Sequence, residues 1–484
     1  MDGSQEYWLT RLLLQRGVGF IYLVAFLVVV NQFRPLCGEK GLLPVSRFME
    51  TVTFRDAPSI FFLWPRDSAF AFFGWCGVLL AMLAVTGLSE RFGNALSIAV
   101  WLSLWVLYLS FVNIGQTFYA FGWESLLLES GFLAIFLGAA DSEPKVLMIW
   151  LFRWILFRII LGAGLIKLRG DPCWHDLTCL DYHFETQPMP NPLSWYFHWL
   201  PPWLHKSGVV FNHVAEVVAP FFFFAPQPLA AIAGIMTILF QGALIVSGNF
   251  SWLNFLTLVL AFSTFNDAQI GRLIPLTVPP ASPLTAFHTG MIWCVALLVA
   301  CLSVRPVRNL FSSHQVMNTS FDPLHLVNTY GAFGSITRER FEIVIEGTDE
   351  AVVLPTTRWR AYEFKGKPGD THHLPSQFAP YHLRLDWLMW FAAMPSPYYD
   401  PWFVHLLAKL LANDAPTIAL LKKNPFPDVP PLHVRAQYFR YHLTTPDERR
   451  KNGNWWHREL VGSYFPPVSL HDPEFRTLLD RLEF

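Results

Sequence analysis

Long apolar runs fill most of the first 310 residues, and they restrict the possible folds more than any other feature. A helix needs about 20 mainly apolar residues to cross the hydrocarbon core of a bilayer. The first run follows Arg11 and Arg16 and lacks a small-residue cleavage site, so it predicts an uncleaved anchor. About nine runs reach or approach the required length, at residues 17–33, 68–88, 95–113, 123–140, 147–166, 208–225, 228–247, 250–266 and 288–304. The pattern predicts an α-helical polytopic membrane bundle with about nine transmembrane helices over residues 1–310.

Composition agrees with a membrane protein and excludes another class. Hydrophobic residues make up 53% of the chain and charged residues only 15%, which departs from the usual balance of soluble proteins. The formal net charge is -1, and no basic stripe is present to meet phosphates. We therefore expect the lipid bilayer as a partner and no nucleic acid.

The C-terminal third of the chain has a different pattern. RFEIVIEG, RWRAYEF and HVRAQYFRYHL alternate apolar and polar residues as half-buried strands do. LRLDWLMWFAA and DPWFVHLLAKLLA have helical spacing with one apolar face. TTPDERRKNGNWWHREL is typical of a capped turn that leads into a helix. These segments predict an appended, β-rich α+β extramembrane domain at residues 320–484.

An odd number of spans places the large polar pieces on one side of the membrane. These pieces are residues 34–67, the Cys/Trp-rich loop at 168–207, and everything after 305. We expect function on that side or just beneath it. Lysine and arginine are more frequent there than in the short turns opposite, which by itself favours a cytoplasmic location for the long loops.

Ionisable residues interrupt the apolar spans, where charges are costly and persist mainly when they pair or act. The turn between the fourth and fifth spans lies near residues 141–145, so Glu129 and Arg158 lie at similar depth and Glu124 lies within reach of Lys167. One interpretation is structural charge pairing, and the other is a polar functional site inside the bundle. The predicted intramembrane cluster consists of Glu124, Glu129, Arg153, Arg158, His213 and Glu216. His213 and Glu216, spaced three residues apart, share one face of the sixth span.

The loop at 168–207 carries Cys173 and Cys179, which are near enough in sequence to close a small disulfide loop. In an oxidising compartment they are candidates for a disulfide, whereas in the cytosol they would be free thiols. Histidine and acidic residues are also present, but without metal-ligand spacing, so we predict no metal site. The tryptophan and tyrosine side chains of the loop suit an interfacial belt.

Several long motifs closely resemble the lipase maturation factor family. They are GWESLLLESGF, RIILGAGLIKLRGDPCWHDLTCLDYHFETQPMPNPLSWYFHWLPPW, GAFGSITRERFEIVIEG, RLDWLMWFAA, NPFPD and NWWHRELVG, and they extend over nearly the whole chain. The matching residues include Gly122, Trp123, Glu124, Glu129, Lys167, Gly170, Asp171, Pro172, Trp174 and the segment 188–192, which we assign to the family core and not to catalysis.

The resemblance implies a membrane-bound folding factor for lipases of the lipoprotein lipase type. It implies an endoplasmic reticulum membrane protein with its tail in the lumen, a client lipase or another secreted protein as partner, and no cofactor. For a prokaryotic member the location would instead be the inner or plasma membrane. A factor of this kind needs no catalytic group.

Two other functions stay open at the level of sequence. Gly162 and Gly164, followed by Lys167 and Trp174, are distantly similar to the transmembrane core of vitamin K-dependent carboxylases and of horizontally transferred transmembrane domain proteins. That similarity implies an intramembrane enzyme with Lys167 as candidate catalytic base, whereas the structural interpretation is a lysine at the membrane interface. A transporter would be expected to show inverted repeats, and the sequence has no evident repeat.

Overall fold

The computed structural model describes residues 7–276 and 278–482, and its N-terminal part is a bundle of helices. The bundle helices are α1 (Trp8–Cys37), α2 (Val45–Thr51), α3 (Asp67–Thr86), α4 (Leu88–Arg91), α5 (Asn94–Ile114), α6 (Gly122–Ala134), α7 (Val146–Arg169), α8 (Leu180–Thr186), α9 (Ser194–His198), α10 (Pro202–His213), α11 (Leu229–Ser247), α12 (Leu253–Ala261), α13 (Asp267–Ile270), α14 (Ala286–Leu302) and α15 (Val304–Leu310). A π-helical turn (Val214–Val218) and a 3-10 turn (Ala219–Phe222) continue α10.

In the described part of the chain, five helices are long and apolar enough to cross a membrane: α1, α3, α5, α7 and α11. A sixth span results if α14 and α15, which meet at an angle of 41°, are taken together. The prediction of nine spans is therefore not confirmed. The predicted spans 123–140 and 250–266 contain only α6 with 13 residues and α12 with 9. The predicted span 208–225 covers the end of α10 and the π-helical and 3-10 turns that continue it.

The short α6 explains why apolar length alone overestimates the number of spans. Twelve of its 13 residues are buried, because neighbouring helices surround it. A helix enclosed by protein is apolar on all sides without having to match the thickness of the bilayer. Close packing elsewhere in the bundle depends on small residues: Gly77 of α3 leaves room for the ring of Phe26 on α1, where any Cβ would overlap that ring.

The C-terminal region contains a small antiparallel sheet together with helices. Its strands are β1 (Arg340–Thr348), β2 (Arg360–Ala361), β3 (His433–Leu443) and β4 (Trp456–Val468), in the order β2-β1-β3-β4. Its helices are α16 (Arg384–Ala392), α17 (Pro401–Leu411), α18 (Ala415–Ile418), α19 (Pro446–Asn452) and α20 (Pro473–Arg481). The region is thus a mixed α+β structure with a small sheet, and RWRAYEF contributes only the two residues of β2.

One predicted helix in this region is short, and a strand follows it. Thr445 and Glu448 form the expected capping box at the start of α19. The helix stops at Gly453, which has a φ of 74°, and the chain continues as β4. The segment NWWHREL is therefore mainly a strand.

The largest of three hydrophobic clusters in the described residues continues from the bundle into the C-terminal region. Polar contacts also join them: Gln32 Nε2 donates to the carbonyl oxygen of His382 at 2.6 Å, and the amide of Phe378 donates to Asn249 Oδ1 at 2.9 Å. The division into domains at 1–310 and 320–484 stays a prediction. What the structure shows is that the C-terminal region packs on one end of the bundle.

Candidate functional site

Lys167 lies at the end of α7 in a closed, buried ion pair. Its Nζ donates to both carboxylate oxygens of Glu216 at 2.7 Å and to Asn212 Oδ1 at 2.9 Å. The Lys167 and Glu216 side chains are only 6% and 4% exposed. The ring of Trp174 lies 4.9 Å from the ammonium nitrogen, at cation–π distance. Three acceptors thus match the three donors of the ammonium group.

The π-helical turn after α10 brings Glu216 to Lys167. Gly164 of α7 makes room for it, because a Cβ at Gly164 would overlap the side chain of Glu216. His213, which the sequence places on the same face, does not join the ion pair: its Nε2 contacts the carbonyl oxygen of Trp174 at 2.9 Å. π-turns are rare and are found mostly as single bulges inside α-helices, frequently at functional sites.

Glu129 and Arg158, which were expected at similar depth, are in direct contact. Arg158 Nη2 pairs with Glu129 Oε1, and Arg158 Nη1 donates to the carbonyl oxygen of Asn328 at 2.6 Å. Tyr330 and the Asn328 side-chain amide donate to Glu129 Oε2 at 2.7 and 3.1 Å. The pair therefore fixes the segment around residue 329 against the bundle.

Glu124 does not pair with Lys167 as the depth argument suggested. Its cation is Arg384, at the start of α16, whose Nη1 lies 2.7 Å from Glu124 Oε1. Tyr108 donates to the other carboxylate oxygen. His382 lies close by, with its Nδ1 3.8 Å from Glu124 Oε1. The pair thus joins the bundle to the C-terminal region.

Arg153 has a different environment from the other buried cations. Its Nε donates to the carbonyl oxygen of Ser263 at 2.7 Å, and its guanidinium lies 5.7 Å from the ring of Tyr7. Arg153 therefore ties α7 to the turn after α12 through a backbone group. Arg153 and His213 both lie outside the three carboxylate pairs.

The first turn of the loop at 168–207 is held against the segment before β1. The amide of Asp171 donates to the carbonyl oxygen of Gly334 at 2.8 Å, and a Cβ on Gly170 would overlap that oxygen. Arg338 Nη2 donates to Asp171 Oδ1 at 2.7 Å. Burial by itself raises the pKa of Asp171. The hydrogen bonds from Arg338 and from the backbone amides together have the larger, opposite effect, so the pKa lies below its ordinary value of 3.8.

A disulfide closes this turn. Cys173 is bonded to Cys179 in the structure, and both residues are buried. Pro172 begins the 3-10 turn Pro172–Trp174, and Trp174 Nε1 donates to the carbonyl oxygen of Phe333 at 3.0 Å. The disulfide-closed turn therefore holds Trp174 between the Phe333 segment and Lys167.

Two residues of the family core, Gly122 and Trp123, lie at the start of α6, where the bundle meets the C-terminal region. Gly122 begins α6 and packs against Asn318, whose side chain occupies the space of a Cβ. The carbonyl oxygen of Trp123 accepts a hydrogen bond from Trp252 Nε1 at 3.0 Å. The ring of Trp123 lies 5.0 Å from the ring of His382. Both residues therefore position the start of α6, where Glu124 lies.

A fourth buried charge cluster was missed in the sequence. Arg340, at the start of β1, pairs with Glu342 and donates to the carbonyl oxygens of Glu185 and Pro188 in the loop at 3.2 and 3.1 Å. Lys367 Nζ lies 2.8 Å from Glu342 Oε2. The available signal was the spacing of Arg340 and Glu342, since residues two apart in a strand face the same side.

These contacts form a junction, defined here as the interface of the Cys/Trp-rich loop and the bundle end with the C-terminal region. Across residues 7–276 and 278–482, the structure contains no group of three or more histidine, cysteine, aspartate or glutamate side chains arranged to hold a metal ion. The charges of the junction are bonded to each other, so its evident chemical role is to fix the position of the segments that it connects.

Comparison with known families matches both parts of the chain. Residues 9–272 match the model described as the lipase maturation factor transmembrane domain, and residues 326–466 match the lipase maturation factor C-terminal domain. Lipase maturation factor 1 of Bos taurus is 43% identical over 96% of this chain and 90% of its own length, and that of Homo sapiens is 43% identical over 97% and 90%. Lipase maturation factor 2 of Xenopus laevis is 30% identical over 98% and 84%.

No solved structure matches the chain significantly. The apolar helices and the two family matches together describe a multi-pass membrane protein.

Proposed function

The chain belongs to the lipase maturation factor family, and on this premise we propose that it is a membrane-bound factor that helps lipases reach their active, exported form. The observation that carries the proposal is the match over nearly the whole chain: 43% identity with lipase maturation factor 1 extends over 96% of its residues. Both the bundle and the C-terminal region are therefore retained, not only a shared membrane anchor.

The finer parts of the proposal are the client and the compartment. We propose a client of the dimeric, lipoprotein lipase type and a location in the endoplasmic reticulum membrane, with the C-terminal region on the lumenal side. The buried disulfide supports this orientation, because disulfides persist in oxidising compartments. The junction would then hold the C-terminal region at the membrane surface, where newly translocated clients are found.

The enzyme hypothesis receives no support from the surroundings of Lys167. A catalytic base must be able to reach the proton that it removes. Lys167 is instead buried and bonded to Glu216 and Asn212. We therefore assign Lys167 to the junction and not to a reaction.

The proposal is tested in a maturation-deficient cell that expresses a dimeric lipase. Wild-type chain should raise the activity of secreted lipase per unit of lipase protein. Lys167→Met serves as a comparison with less factor, because it removes the cation of a buried pair and should lower the level of the factor itself. A wild-type chain that is present and inserted in the membrane but leaves lipase activity unchanged would overturn the proposed function.

A further inference from the structure

The outer edge of β4, defined here as His457–Ser463, has no strand beside it. β4 is the last strand of the sheet, and its partner within residues 7–276 and 278–482 is β3. The backbone hydrogen bonds found for the described residues do not cover the opposite side of this stretch. An edge strand presents a row of unpaired N–H and C=O groups, which is a template for another strand.

Contacts at both ends limit the length of this open edge. Before it, the amides of Trp455 and Trp456 both donate to the carbonyl oxygen of Thr371, at 2.8 and 3.2 Å. After it, the hydroxyl group of Tyr399 donates to the carbonyl oxygen of Tyr464 at 2.7 Å. Seven residues at about 3.3 Å each span roughly 23 Å, which is the length of a common strand.

The first part of the edge has regular strand geometry. His457 to Leu460 pair in unbroken register with His442 to Phe439 of β3. Register shifts follow at Val461 and Tyr464, and the two prolines at 466 and 467 lack a backbone N–H. From Val461 onward, bulges and prolines therefore protect β4 against pairing with another strand. His457–Leu460 contains neither a bulge nor a proline.

The opposite edge of the sheet cannot serve the same purpose. β2 consists only of Arg360 and Ala361, and very short edge strands are one way in which proteins prevent unwanted pairing. The residues of β1 that β2 does not pair with are mostly buried, so β4 provides the exposed edge of strand length.

The side chains of the edge suit a neutral, apolar partner. Leu460 and Val461 are 61% and 55% exposed. Glu459 pairs with Arg440 at 2.5 Å, and the guanidinium of Arg458 lies 4.8 Å from the ring of Phe439. The charges at the edge therefore have partners inside the sheet, and an apolar side chain can pack against Leu460 or Val461.

We propose that the outer edge of β4 binds an extended segment of a client polypeptide whose own strand partner has not yet formed. Recognition would come from main-chain hydrogen bonds, with apolar side chains of the client placed against the exposed Leu460 and Val461. This mode reads extended backbone and not a particular sequence, as a factor acting on incompletely folded chains requires. The inference rests on the proposed function and names the surface that meets the client.

The test uses the full chain in lipid nanodiscs and a defined peptide. The probe is a fluorescent peptide of about eight alternating valine and threonine residues, the length of a common strand. A second peptide is identical except for N-methyl groups on alternate residues, which remove the donors on one edge. We expect the methylated peptide to bind about tenfold more weakly or worse, because several main-chain hydrogen bonds are lost. Hydrogen exchange should slow at residues 457–463 when the unmodified peptide is bound.

A pair of matched variants connects binding with function. Leu460→Lys with Val461→Lys should lose the peptide and lower lipase maturation. Val352→Lys with Val353→Lys, at two other exposed positions, makes the same charge change away from the edge and should keep both. The peptide comparison on the wild-type chain stands even if the first variant fails to fold.

Three results would overturn the inference. One is equal affinity for the two peptides, and another is full lipase maturation by a folded Leu460→Lys/Val461→Lys chain. The third is protection of residues 457–463 without peptide in particles that hold two chains, which would make the edge an interface between copies. Failure of the wild-type chain to mature a lipase is a different outcome, because it counts against the proposed function and not against the edge alone.

Discussion

Replacing Arg384 by methionine removes the cation that neutralises Glu124 at the contact between the bundle and the C-terminal region. Arg384 Nη1 lies 2.7 Å from Glu124 Oε1 and 2.7 Å from the carbonyl oxygen of Phe118. Both members of the pair are fully buried. In the variant, Glu124 keeps the hydrogen bond from Tyr108 but loses its cation.

Breaking a buried pair in this way costs about 3–5 kcal/mol, because an uncompensated charge remains in the interior. That is a large part of the roughly 5–15 kcal/mol by which typical folded proteins are stable. Removing the carboxylate as well, with Glu124→Gln, should recover about 1–3 kcal/mol, since the two residues act through the same contact. The double variant should therefore be more stable than Arg384→Met alone.

Denaturant unfolding in nanodiscs, followed by tryptophan fluorescence, measures these differences. Trp123, Trp252 and Trp387 surround His382 beside the pair, so local loss of packing should be visible in the signal. The control is Arg450→Met. Its partner at 2.6 Å is an exposed aspartate, and exposed pairs contribute little. An Arg384→Met chain as stable as the control, or a double variant less stable than either single one, would refute the reasoning.

Three further outcomes are expected. Maleimide labelling of the denatured chain should modify four cysteines without reductant and six with it, because Cys173 and Cys179 are paired; six in both cases would contradict the disulfide. Lys167→Arg keeps the charge and should retain more protein in the membrane than Lys167→Met, as measured by immunoblot; equal levels would mean that the pair is not needed for folding. Asp171→Asn removes a carboxylate whose folded pKa lies below 3.8, so its stabilisation is complete above pH 4 to 5 and lost as the pH falls through the folded pKa. The stability difference from wild type should therefore be constant from pH 5 to 8 and shrink below pH 4, and a difference that grows on acidification would contradict the contact with Arg338.

The long helices could be predicted because a helix that crosses the bilayer needs about 20 consecutive apolar residues, and such a run is visible in the sequence. The shorter helices could not, since an apolar run does not mark where a helix stops. The run at 123–140 contains α6 only as far as Ala134, and a turn follows in which Gly138 has a φ of 86°. Burial by neighbouring helices keeps both parts apolar, so the helix and the turn have the same composition.

Pairing of charges was predictable only where both residues belong to one helical hairpin. Counting from the turn placed Glu129 and Arg158 at one depth, and they are in contact. The same count predicted a pair between Glu124 and Lys167. It gives depth but not the rotation of each helix, and it does not include Arg384, which is 260 residues away in sequence and pairs with Glu124. Strand β4 was not predicted because its conformation also depends on a distant segment. The capping box and the charged residues favour the helix α19, but pairing with β3 determines the conformation of the residues that follow.

The central claim is tested most directly by the specific activity of a secreted dimeric lipase. The cell lacks its own maturation factor and expresses the lipase with or without this chain, and activity and lipase protein are measured in the same medium. The account predicts that the ratio of activity to protein rises when the chain is present. An unchanged ratio, with the chain inserted in the membrane at normal level, would contradict it.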